Sequence, residues 1–103
     1  MRGVRTAAEK AELSDIISTT LRRDFDSIKI VDVIVSRDVD RDGDHVLVVK
    51  IIFEGVPKER DMLTMSGAVR HIRPELAKVG EEAFPLISFI TKSEAKAAKL
   101  GAS

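Results

Sequence analysis

Apolar residues at Met62, Met65, Val69, Ile72, Leu76 and Val79 follow one another at gaps of three and four. That spacing lays one stripe along a single helix face and predicts a helix over 58–79. Gly80 suits the left-handed residue that follows a helix end. Pro74 lies inside the stripe. It has no N–H and its ring crowds the carbonyl four residues back, so a bend or break is expected near residues 70–73. Upstream, Leu13, Ile16, Ile17, Leu21 and Phe25 recur at helical spacing and predict an amphipathic helix over 6–24. Thr6-Ala7-Ala8-Glu9 has the form of a capping box at its start. Arg22 and Arg23 suit its C-terminal end, where the carbonyl dipoles favour cations.

Between these helices the period changes. Residues 28–36 alternate and are rich in Val and Ile, and residues 45–53 are almost continuously apolar, so both read as strands. Asp42-Gly43 between them is a hairpin signal, and Gly55-Val56-Pro57 stops the second strand. Residues 84–90 read as a third strand. Residues 1–5 read as a basic tail, 6–91 as one domain, and 92–103 as a tail that is weakly helical or disordered. The expected fold is α+β: helix, strand, strand, bent helix, strand, with two helices packed on one face of a three-stranded sheet. The helical crossover from the second strand to the third should be right-handed. With the first strand between the other two, as in a split β-α-β unit, it is antiparallel to both. The uncovered sheet face would then carry Ile30 and Ile34 and need a partner, a second copy or the C-terminal tail.

Lys plus Arg and Asp plus Glu each number 17, which excludes a uniformly basic nucleic-acid binder but leaves room for a local basic face. The absence of Cys excludes disulfides, thiol nucleophiles and thiolate metal sites, and fits a cytoplasmic setting. No apolar run approaches a membrane span. With no Trp or Tyr and four Phe, the base-stacking platform of many single-strand binders is nearly missing.

Candidate chemistry is sparse. Asp38, Asp40 and Asp42 before Gly43 match the opening of a calcium loop, but its twelfth position is Val49 instead of a bidentate Glu and the flanks are strands. The segment reads as a solvated acidic hairpin. His45 and His71 lack partners at metal-ligand spacing, and Ser66-Gly67 continues a helical pattern without a nucleophile elbow. No enzyme, cofactor, metal or small-molecule substrate is indicated. The remaining candidate is basic: Arg70 and Arg73 at the expected bend, Lys78 beyond, and Arg22 and Arg23 at the end of the first helix. Arginines beside exposed helix N–H groups can meet phosphate, although a solvated polar face has the same composition.

The run Ala68-Val69-Arg70-His71-Ile72-Arg73-Pro74-Glu75-Leu76-Ala77-Lys78, followed by Phe84-Pro85-Leu86-Ile87-Ser88-Phe89, resembles the later part of the ribosome-binding factor A family. Val33-Ile34-Val35-Ser36-Arg37-Asp38 is similar to that family's first strand and its Val-Ser-x-Asp ending. The resemblance implies a K-homology type II fold and non-enzymatic binding to ribosomal RNA or the small ribosomal subunit. On this reading Arg70, Arg73, Lys78, Arg22 and Arg23 contact phosphate. The alternative expectation is a protein–protein module, a homodimer or a subunit of a larger complex. It would use the open sheet face or edge through Ile30, Ile34, Leu86, Ser88 and Ile90.

Overall fold

The apolar run of the second strand sets the architecture, because a strand buried on both faces can only be central. The computed structural model describes residues 7–99. Helix α1 (Ala7–Arg22) leads to β1 (Lys29–Val39) and β2 (His45–Glu54). Helices α2 (Glu59–Ser66) and α3 (Ala68–Ala77) follow, then β3 (Phe84–Thr91) and α4 (Lys92–Ala97). Thr6, the expected cap of α1, lies outside the described residues. The sheet order is β1-β2-β3, with β1 antiparallel and β3 parallel to β2. The first strand is therefore at an edge, not in the middle as the split unit required. Val46, Leu47, Val49, Ile51, Ile52 and Phe53 of β2 are all buried, whereas β1 exposes Asp32, Asp38 and Val39.

One face of the sheet meets α1 and α3. Ile30, Val33, Val35, Leu47, Val49 and Ile51 pack there with Leu13, Ile17, Leu21, Ala68, Ile72 and Leu76. Ile30 belongs to this core at 4% exposure, so it cannot serve an open-face interface. The cause is a β-bulge: Ile30 opposes Phe53 and Asp32 opposes Ile52, leaving Val31 as the extra residue that inverts the alternation. Ile34 stays on the opposite face, half-buried, in register with Lys50. On that face α4 folds back over β2 and β3 and buries Ala95. Thr91 and Glu94 form its capping box, a local reason why this segment is helical. Ile72 is wholly buried between α3 and the sheet. We expect Ile72→Ala to lower unfolding free energy by about 3 kcal/mol with an unchanged denaturant slope, measured by urea denaturation.

The helical segment breaks at Gly67, not at Pro74. Gly67 ends α2 and α3 runs through the proline. Pro74 lies on the exposed side of α3, where water can satisfy the Arg70 carbonyl that loses its partner. The break also shifts the stripe. In α2 the buried side chain is Asp61, while Met62 is 54% and Leu63 68% exposed. Asp61 accepts N–H bonds from Lys58 (3.0 Å), Asp26 (2.9 Å) and Ser27 (3.4 Å). One carboxylate thus caps α2 and ties down the connection between α1 and β1. Thr64 donates to the Asp24 carbonyl at 3.3 Å, adding a second tie to the same connection.

Candidate nucleic-acid interface

Three turns of α3 decide where the predicted cations point. Ala68, Ile72 and Leu76 face the core, which puts Arg70 on the outer face, with Arg73 one turn on and turned toward β3. Both are exposed, and among the described residues neither pairs with a carboxylate. The Arg70 guanidinium lies back over the break: a methyl group on Gly67 would come within 3.2 Å of it. Gly67 offers α3 no side-chain cap, whereas the start of α2 is closed by Asp61. Arg73 lies over the Phe84 ring, 5.2 Å from its centroid, which orients its guanidinium plane. Sequence periodicity could not reveal this contact, because the two residues sit in different elements whose register appears only on folding.

The other predicted cations separate. Lys78 donates to Glu75 at 3.2 Å and is neutralised there. Arg23 lines a shallow groove between α1 and α3 with Asp15, Thr19 and Glu75, a mixed-charge setting. Arg22 turns the other way and donates to the Ile30 carbonyl of β1 at 3.4 Å. His71 faces Asp24 across 3.3 Å, joining α3 to the end of α1. Of the five basic residues named from sequence, the structure brings together Arg70 and Arg73. The groove beyond Arg73 is lined by Glu81, which is buried against Arg37, and by the exposed Glu82.

At the hairpin tip the Asp40, Asp42 and Asp44 carboxylates come within 4.8 Å of one another, all exposed. Asp40 Oδ1 accepts the N–H groups of Asp42 and Asp44, each at 2.9 Å, so this carboxylate builds the turn. No helix among the described residues is long and apolar enough to cross a membrane. Comparison with protein-family models, curated proteins and solved structures finds no match to this chain.

Proposed function

We propose that this chain is a small, non-enzymatic RNA- or ribosome-associated module of the cytoplasm that grips phosphate through Arg70 and Arg73. The observation that carries this reading is the pair itself. Among the described residues, two exposed arginines without carboxylate partners lie one turn apart on α3, Arg70 beside its uncapped start and Arg73 over Phe84, in a chain that neutralises Lys78, Arg60 and Arg37. The reading also draws on the resemblance of residues 68–78 and 84–89 to the ribosome-binding factor A family. Contacts of this kind position a nucleic acid without reading bases, and their strength falls with salt.

Co-sedimentation with small ribosomal subunits at low and moderate salt tests the reading, alongside a titration of structured ribosomal RNA fragments. Arg70→Glu with Arg73→Glu should weaken binding at least tenfold and flatten log Kd against log salt by about 1.5. Lys78→Ala should change little, because Glu75 already occupies that ammonium. Unbound wild-type protein at low salt, or equal binding by the double variant, overturns the assignment.

A further inference from the structure

The two edges of the sheet are treated differently. On β1, side chains occupy several backbone groups. Ser14 donates to the Val33 carbonyl (2.9 Å) and Arg22 to that of Ile30 (3.4 Å). Asp32 and Asp38 accept the N–H groups of Val33 and Val39. With the bulge at Val31, these are the devices by which an edge is kept from pairing with another chain. On β3 Pro85 blunts one end, but from Leu86 to Ile90 no side chain takes a backbone group among the described residues, and Phe84–Thr91 contains no charged residue.

Pro85 shows which backbone groups of β3 face outward. A proline inside a paired strand sits where its missing N–H would point away from the partner strand, so residues of its parity turn their N–H and C=O groups from β2. Thr91 has the same parity, and its N–H is taken by Glu94 Oε1 at 3.0 Å instead of by β2. Ile87 and Phe89 lie between them and present two N–H and two C=O groups with no partner on this side among the described residues.

We propose that β3 pairs antiparallel with β3 of a second copy, across a two-fold axis at Ser88, giving one continuous six-stranded sheet. Ile87 then exchanges both backbone bonds with Phe89 of the other copy, and symmetry doubles this to four bonds. Pro85 falls opposite Thr91 at each end, so the ladder stops where β3 has no free N–H left. On the face away from α1 and α3, Leu86 (45% exposed) meets the half-buried Ile90 twice, and Ser88 meets itself. Sliding the pairing by two residues sets Leu86 against Ser88 or Lys92 and loses that match. Arg70 lies away from this edge and Arg73 meets β3 at Phe84, outside the paired residues 85–91, so the dimer is tested independently of RNA binding.

Sedimentation velocity of the full chain between about 5 and 500 μM, with Ser88→Lys and Ser88→Glu, tests the pairing directly. Ser88 is exposed, so both variants should keep the wild-type circular dichroism and, at the lowest concentration, its melting curve. We expect a concentration-dependent dimer for the wild type and monomers for each variant. An equimolar mixture of the two should recover the dimer, because only a two-fold axis at this residue sets Lys against Glu. Hydrogen exchange gives a second measurement on unaltered protein: the Ile87 and Phe89 amides should slow at least tenfold at the higher concentration. Wild-type monomer throughout, dimers untouched by both variants, or amides that exchange at the same rate at both concentrations overturns the proposal.

Discussion

Gly55→Ala is expected to destabilise the protein by about 3 kcal/mol, lowering the thermal midpoint by roughly 15 °C. Two costs add at this residue. Its φ of +103° lies where side chains strain the backbone. A Cβ there would also stand 2.7 Å from the Ser27 carbonyl oxygen and 3.3 Å from the Ile28 Cα. The Ser27 segment cannot retreat cheaply, because its N–H is held by the buried Asp61 carboxylate. Gly43→Ala separates the two costs. Gly43 has a φ of +88° at the hairpin tip, but a methyl group there meets nothing within 4 Å. It should lose about 1 kcal/mol, the conformational part alone. Equal losses for the two variants in parallel thermal melts would show that the close approach at Gly55 carries no weight.

Much of this fold is legible from periodicity because burial is one-sided for the helices and alternating or continuous for the strands. The run from Val46 to Phe53 already pointed to the strand order: apart from Lys50 it is apolar on both faces, which is the signature of a central strand, and a parallel neighbour follows from the helical crossover. What stayed hidden depends on single residues. One extra residue at Val31 turns Ile30 inward, and no period predicts where a bulge falls. Pro74 drew the expected bend, yet its exposed position lets α3 absorb it. The break lies instead at Gly67, where α2 must reach toward Asp24 and Asp26 while α3 lies on the sheet. At the candidate site, Arg70 and Arg73 were legible as a helical pair. That Lys78 is neutralised, Arg22 turned to β1 and Phe84 placed under Arg73 are consequences of packing.

Asp61 is the residue on which the packing of α2 depends, and its replacement has the other large expected effect. Three backbone N–H groups converge on this carboxylate, from Lys58, Asp26 and Ser27, and they hold its pKa below the ordinary value of 3.8 against the opposing pull of desolvation. The bond from Lys58 is the largest cause and that from Asp26 the next. Asp61→Asn preserves shape but brings an amide N–H₂ against either the Lys58 N–H or the Asp26 and Ser27 pair, so at least one donor faces another donor. The midpoint should fall by roughly 10 °C at neutral pH. The sign of the pH dependence follows from the direction of the shift. A carboxyl whose native pKa is depressed binds protons more weakly folded than unfolded. Its stabilisation is therefore complete above 3.8 and is lost as pH falls through the lower native value. The gap between wild type and Asp61→Asn should be constant from neutral pH down to about pH 5 and then shrink toward pH 2. Melting curves of both proteins across that range measure it. A gap that persists undiminished at the acid end would mean that Asp61 acts through its shape, with the ionised carboxylate contributing nothing to the closure of α2 on the loop it holds.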